Sequence, residues 1–556
     1  MKFTATAFPA VFLVVLAACQ SPKQIQALPS PRAQPAIAKG TFEWRLVNNF
    51  RPFERDANRI RLFANAESRG TPPREAYENY LRIALATLYL DEESQYSITS
   101  TKDARGHFDV IQNRYSFFEG NSDYTPAKFA LAEVMGNVEG ECTWVVTDFG
   151  ARLTNQETST CSQNYFSVGE QGIKVEVTPA NGVTEVIDIS YDEKVIVALG
   201  DSYVSGEGTP PFLDRQCSLS LYSWPYLVTA LLANENPKTV YTIINRACTG
   251  ARIEHLTHKP YEGLGPSTRS KYGTVFNSAG VGSFGSELDV GPKEKMPQIE
   301  QAKADLCNVA IESIDTCAKR PDLIFLGIGG NDAEFGKNVR DVIGKKAVKG
   351  KLASKFDEYK TVIENGYADL ENKLDKHFPE TKIYTTNYVN PLRKYNGEIC
   401  SDDDARTYAG LAIRRFAWLF GVGLSDDEMS ILESEFIDPL LGEQGIGGIL
   451  KDLEERDKDR WVFVKTYHSL LNGQLVDPEY ATRGLCDGVL QVPYDNDTGV
   501  TERGAKNSWF NSYEEAAEVT NASGIVHPNI FGQMYYARKV LEALCDNDEI
   551  CVTGIK

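Results

Sequence analysis

The chain is 556 residues long, enough for more than one buried core. Its 58 Lys and Arg stand against 77 Asp and Glu, a formal charge of -19. That balance argues against a nucleic-acid partner and against docking on anionic lipid through a basic patch.

Met1 and Lys2 precede an apolar run from Phe8 to Ala18. The run is too short to span a bilayer and predicts a signal peptide over residues 1–18. It ends Leu16-Ala17-Ala18-Cys19, which resembles the lipobox of bacterial lipoproteins. The resemblance implies cleavage before Cys19 and a lipid on its thiol. With Gln20 rather than Asp following, it implies an anchor in the outer membrane, facing the periplasm or the cell surface. The rest of 19–40 is rich in Pro, Gln, Ala and Ser and reads as a flexible tether.

Of 11 Cys, Cys19 is one, which leaves an even set of ten. In an exported chain such a set reads as disulfides. Pairing neighbours gives Cys142–Cys161, Cys217–Cys248, Cys307–Cys317, Cys400–Cys486 and Cys545–Cys551, although sequence alone leaves the connectivity open. None of the spacings is that of a zinc knuckle.

Residues 41–190 predict a small, mainly β, sandwich-like domain. Short alternating runs at 42–47, 143–146, 165–168, 173–177 and 184–189 are separated by Gly and Asn turns, and residues 74–90 have helical spacing. Nothing in this part forms a catalytic set, and His107 reads as a surface residue. The part reads as a spacer, with partner or glycan binding as the other reading.

From residue 193 to 556 the pattern changes. Apolar runs at Val195–Leu199, Val240–Ile244, Leu323–Ile328, Ile383–Thr386 and Trp461–Val464 are separated by long crossovers. This predicts a three-layer α/β domain on a parallel five-stranded sheet. Residues 402–458 are acidic and helix-forming and read as a helical insertion, with a lid as one role for it.

Three of these strands end in polar, glycine-rich turns: Gly200-Asp201-Ser202, Cys248-Thr249-Gly250-Ala251 and Gly329-Gly330-Asn331-Asp332. His527-Pro528-Asn529 follows late in the chain. Strand ends of an open α/β sheet line its ligand crevice. The turns supply a hydroxyl, backbone N–H groups, a side-chain amide and an imidazole, the set that acyl transfer needs.

These blocks resemble, in order, those of the SGNH (GDSL-type) hydrolase superfamily. Ser205-Gly206-Glu207-Gly208, Ser223-Trp224-Pro225 and His527-Pro528-Asn529 are similar to its secreted Ser-His esterase branch. The resemblance covers about residues 193–545. It implies a flavodoxin-like fold and hydrolysis of a carboxylic ester without a cofactor. Ser202 would be the nucleophile and His527 the base. The Ser202 and Gly250 N–H groups and the Asn331 amide would form the oxyanion hole. Substrates would be small-molecule esters, lipid esters or acylated glycans, and transfer of the acyl group to an alcohol is equally compatible.

One position departs from the pattern. The family commonly has Asp three residues before the histidine, and here that residue is Gly524. The expected substitute is a backbone carbonyl from the 505–524 loop near Trp509, or else Glu514, Glu515 or Glu518. Weaker motifs are His255-Leu256-Thr257-His258, which lacks the Glu of a zinc-protease site, and the calcium-like turn Asp495-Asn496-Asp497-Thr498-Gly499. Both read as ordinary surface features, and no metal is expected. His377 and His468 read as structural. The competing functional reading is a catalytically weak or inactive surface lipoprotein that keeps the fold for binding or adhesion.

Overall fold

The computed structural model describes residues 42–46, 49–53, 129–150, 153–180, 182–209, 212–214, 216–261, 263, 296–307, 320–335, 338, 350–393, 398–399, 426–466, 470–471, 474–475 and 527–547. The expected signal peptide, Cys19, the tether, the 74–90 helix and His107 lie outside the described residues, as do 402–425, His468, 495–499 and the 505–524 loop.

The first part of the chain builds β1 (Phe42–Leu46), β2 (Phe50–Phe53), β3 (Phe129–Gly136), β4 (Glu141–Asp148), β5 (Leu153–Thr160), β6 (Gln163–Gly169), β7 (Ile173–Pro179) and β8 (Glu185–Ile189). Two antiparallel sheets result, β1-β3-β6 and β5-β4-β7-β8. Their inner faces share one core. Alternate residues Ile173, Val175 and Val177 of β7 point inward. Trp144 is fully buried between Phe42 and Phe166, whose rings each lie 5.6 Å from it. Strand β5 carries no apolar alternation because it is an edge strand whose Thr, Asn, Gln and Glu side chains face water.

Strands β9 (Asp192–Gly200), β12 (Thr239–Asn245), β13 (Leu323–Gly327), β14 (Lys382–Thr386) and β15 (Trp461–Val464) form the α/β sheet; β10 (Phe212–Asp214) and β11 (Leu219–Ser220) are a short separate hairpin. All five predicted strands are present. The sheet has six strands, however, in the order β15-β14-β13-β9-β12-β2, all parallel. The sixth, β2, comes from the first part of the chain and pairs with β12. Its Asn-Phe-Arg-Pro-Phe sequence is short and contains Pro52, which a sheet accepts only at its edge, where β2 lies. Bonds that hold the approach include Leu46 N–H donating to the Pro237 carbonyl at 2.7 Å and the Asn49 amide donating to the Ala233 and Asn236 carbonyls.

Helices cover both faces, so the strands are apolar throughout rather than alternating; Val195 to Leu199 are all fully buried. The helices are α1 (Ser202–Ser205), α2 (Trp224–Glu235), α3 (Ile253–Thr257), α4 (Gln298–Cys307), α5 (Lys351–His377), α6 (Asp426–Leu432), α7 (Asp438–Leu441), α8 (Ile446–Arg456) and α9 (Ile530–Asn547). One layer is α2 with α9; the other is α3, α4, α5 and α8. Between α6 and α7 lies a π-helical turn, Glu433–Ile437.

The described part of 402–458 is largely helical and packs into the sheet core. Met429, Leu432, Phe436, Ile437 and Leu440 are buried in the sheet core, and α8 packs on β15. The stretch is the crossover from β14 to β15. Its acidic composition hides this, because one carboxylate, Glu433, is itself buried and ion-paired with Arg393. His377 ends α5, buried, and burial lowers its pKa.

Disulfides join Cys142 to Cys161 and Cys217 to Cys248. Cys307 and Cys545 are also disulfide-bonded; their expected partners Cys317 and Cys551, and the Cys400–Cys486 pair, lie outside the described residues. Among the described residues no helix is long and apolar enough to cross a membrane.

Candidate active site

The sheet order places β9 between β13 and β12, so the chain crosses over β9 on its way from β12 to β13. The crevice beyond the carboxyl ends at such a switch point is where open α/β sheets bind ligands. Gly200 ends β9 there with φ of 150°, and an added Cβ would meet the Gly327 carbonyl. Beyond the last residue paired with β12, the Gln298 side chain takes over the ladder. Its Oε1 accepts from Gly200 N–H and its Nε2 donates to the Gly200 carbonyl, both at 2.8 Å. Asp201 then caps α1, its Oδ1 accepting from Tyr203 N–H at 3.1 Å, and Ser202 is the first helical residue.

His527 immediately precedes α9, and its Nε2 lies 2.8 Å from Ser202 Oγ. The two residues are 325 positions apart in sequence. The imidazole is partly exposed, and it packs 5.5 Å from the Tyr203 ring. One turn on, the fully buried Gln533 accepts from Trp224 N–H at 2.9 Å and donates to the Tyr203 carbonyl at 3.2 Å. It ties α9 both to the start of α2 and to the serine's own helix.

The loops after β9, β12 and β13 are stitched together by side chains. Gly330 N–H donates to the Tyr388 hydroxyl at 2.9 Å, and Tyr388 donates in turn to Asp201 Oδ2. The Asn331 amide donates to the Ala251 carbonyl at 2.9 Å. That bond uses one of its two N–H groups and sets the plane of the other. Asp332 accepts Ile253 N–H on both oxygens, at 3.2 and 3.1 Å. Thr249 is pinned to the Cys217 carbonyl through its N–H and its hydroxyl, beside the Cys217–Cys248 disulfide. Gly250 has φ of 79°, and an added Cβ would collide with the Tyr261 hydroxyl, which donates to the Thr249 carbonyl at 2.6 Å.

Burial pushes the carboxyls of Asp201 and Asp332 up to about 7, against the lowering effect of the hydrogen bonds each accepts. The phenols of Tyr203, Tyr367 and Tyr388 are raised for the same reason.

The structure thus brings Ser202 and His527 together and sets Gly250 and Asn331 on neighbouring loops. Among the described histidines it gives His255 a packing role and His258 a surface contact. His255 stacks on Tyr261 with ring centroids 4.3 Å apart, its Nδ1 accepts from Arg252 N–H, and burial lowers its pKa to about 4. His258 faces Asp369 at 3.3 Å. Gly524, Trp509, Glu514, Glu515 and Glu518 lie outside the described residues. Sequence reasoning did not find Gln298, Gln533, Tyr388 or the buried Glu207, whose Oε2 is 3.4 Å from His527 Nε2. Only Tyr388 carried a signal, because it lies just past the end of β14 on the same edge of the sheet.

Residues 196–405 match the family model described as GDSL-like lipase/acylhydrolase. This domain is a GDSL-type acylhydrolase. As a GDSL enzyme it belongs among the carboxylic ester hydrolases. The match ends well before His527. No curated protein matches the chain. Among solved structures it is similar to the extracellular lipase of Streptomyces rimosus at 16% identity, covering 63% of this chain and 99% of that one, with a TM-score of 0.34. It is similar to phospholipase A1 of Streptomyces albidoflavus at 15% identity, covering 64% and 99%, with a TM-score of 0.30. For Axe2, an acetylxylan esterase of Geobacillus stearothermophilus, the figures are 14%, 65%, 98% and 0.26. None of these likenesses is close enough to say what the GDSL domain acts on.

The raised Asp201 carboxyl makes stability depend on pH. An unfolded Asp titrates near ~3.9, so the folded state binds the proton more tightly. The stabilisation is full below that value and is lost as pH rises through about 7. The melting temperature of the wild type is expected to fall between about pH 5 and pH 8, and Asp201→Asn is expected to flatten that fall. An equally steep fall in the variant, followed by circular dichroism, would assign the slope to other groups.

Proposed function

We propose that this GDSL domain is a serine esterase that cleaves carboxylic esters through an acyl-Ser202 intermediate. The observation that carries the reading is the 2.8 Å approach of His527 Nε2 to Ser202 Oγ at the switch point of the sheet. Oγ attacks the ester carbonyl carbon while its proton passes to Nε2 and the carbonyl electron pair moves onto oxygen. Ser202 N–H, Gly250 N–H and the second Asn331 N–H are the donors for that oxyanion. Collapse expels the alcohol oxygen, which takes the proton from Nε2 and leaves the acyl group on Oγ. Water then attacks the acyl carbon, giving its proton to Nε2; the second collapse returns that proton to Ser202 and releases the acid. The substrate class is a short acyl or acetyl ester on a glycan, or a membrane-derived lipid ester.

Purified protein is expected to hydrolyse p-nitrophenyl acetate or butyrate, and Ser202→Ala or His527→Ala to lower kcat by about 10⁴-fold or more. A wild type silent across acyl lengths, or a rate unchanged by Ser202→Ala, would favour a binding lipoprotein instead. Gly250→Ala adds a side chain at a left-handed φ and against Tyr261. It is expected to cost about 10²–10³ in kcat, the loss typical of one oxyanion donor. A variant that keeps the wild-type rate removes Gly250 from the oxyanion hole.

The second element of the proposal is location. The sequence Leu16-Ala17-Ala18-Cys19 supports lipidation at Cys19 and an outer-membrane anchor, with the 20–40 stretch as tether. Cells fed labelled palmitate are expected to label the wild type and not Cys19→Ser, and the variant is expected to leave the membrane fraction. Membrane association unchanged by the substitution would rule the anchor out.

A further inference from the structure

Glu207 is the described carboxylate nearest the imidazole, and the mechanism above gives it no task. It is 1% exposed, and its Oε2 is 3.4 Å from His527 Nε2. The nucleophile's own turn holds it there. Gly206 adopts a left-handed conformation with φ of 83° after α1, and Glu207 N–H donates to the Ser202 carbonyl at 3.0 Å. The serine and the carboxylate are thus fixed to each other by backbone, five residues apart, on the same side of the ring. Among the described residues the groups near the pair include the Tyr203 ring against the imidazole, Asp201 at the head of the same turn, and Tyr261, whose phenol Glu207 helps to raise. None of these brings a positive charge to the ring.

The position of Oε2 matters because Nε2 is the atom that changes charge. Before reaction Nε2 presents a lone pair to the Ser202 hydroxyl, and a carboxylate oxygen beside it gains nothing. Once the serine proton has moved, Nε2 carries N–H and the ring is a cation. A separation of 3.4 Å is longer than a good N–H···O⁻ bond, so the proton stays available to the leaving oxygen. It is short enough for strong attraction between the partly exposed imidazolium and a carboxylate that is itself buried. An interaction that exists only after proton transfer lowers the barrier and leaves substrate binding alone.

We infer that Glu207 is the counter-charge for the imidazolium of His527, supplied from the nucleophile's own turn in a chain whose usual carboxylate position is Gly524. Glu207 acts through His527 as a positioning residue, and the inference rests on the esterase reading above.

The test compares Glu207→Gln, which keeps shape and removes charge, with Glu207→Asp, which keeps charge on a shorter arm. With p-nitrophenyl butyrate, Glu207→Gln is expected to lose about tenfold to a hundredfold in kcat with KM within about twofold. Its melting temperature is expected to stay at or above that of the wild type, and Glu207→Asp to keep more kcat than Glu207→Gln. The rate at which a fluorophosphonate blocks Ser202 is expected to fall in the same order. Wild-type kcat in Glu207→Gln, a larger loss in Glu207→Asp than in Glu207→Gln, a change confined to KM, or failure of both variants to fold would each overturn the assignment. If the wild type is active, Ser202→Ala is silent and Glu207→Gln is unimpaired, only the role of Glu207 falls. A wild type inert to ester and fluorophosphonate alike sinks the esterase reading, and this inference with it.

Discussion

Ser202 belongs to a tight turn at the end of the central strand, and His527 belongs to a segment that reaches the site only because α9 docks on α2. The docking surface is apolar, with Met534, Ala537, Val540, Leu541 and Leu544 buried, but apolar contact alone does not set an imidazole to within a few tenths of an ångström. Gln533 does. Its amide is fully buried, its two bonds go to backbone atoms of α1 and α2, and either slide of α9 breaks both. A buried amide left without partners is costly, so the helix has one low-energy register on its neighbours. Every other feature of the proposed site presupposes that register, because without it His527 would not meet Ser202.

The remaining loops are held by the same device. Gln298 completes the ladder at Gly200, Tyr388 joins the loop after β13 to Asp201, and Asp332 joins it to the segment after Gly250. Each bond runs from a side chain to a backbone or side-chain atom on a different loop. Three loops that would move independently become one body. Catalysis by donors that need no reorganisation requires that rigidity, since a donor that must first swing into place loses part of what it contributes.

These ties also mark what sequence can and cannot disclose. The five apolar runs of the α/β domain were legible because burial on both faces leaves β-branched strings with no alternation. The Ser202 turn, the Gly250 loop, the Asn331 turn and His527 were legible as blocks in a familiar order. Strand β2 was not, because four residues with a proline carry no strand signal until a sheet edge is there to accept them. The crossover helices of 426–456 passed for an insertion because acidic composition outweighed their apolar stripe. Gln298 and Gln533 were invisible for a different reason, and Tyr388 offered only its place just past the end of β14. A glutamine or tyrosine in an apolar helix or loop looks the same whether or not it meets a backbone group, and here the partners lie 98, 309 and 187 positions away. Glu207 is the reverse case. It is near Ser202 in sequence, and only the position of a residue 320 places later gives it meaning.

The chemistry of the groups behind the serine has a common logic. Tyr203, Tyr367, Tyr388 and Tyr536 are buried, and burial raises every one of their phenols. Three of them serve as neutral donors: Tyr388 to Asp201, Tyr367 to the Ile328 carbonyl and Tyr536 to the Asn387 carbonyl. Burial raises Asp201 and Asp332 as well, so these carboxyls are drawn toward neutrality. A permanent anion at either position would act on the Ser202 environment in every state of the cycle, and on the developing oxyanion unfavourably. Charge near the reacting atoms is thereby reserved for groups that face them, the imidazole and the carboxylate 3.4 Å from its Nε2. On the proposed esterase reading an oxyanion develops beside Ser202, and buried groups drawn toward neutrality add little charge of their own against it. The proposed counter-charge, Glu207, stands apart from these groups, 3.4 Å from the atom of His527 that would take the proton.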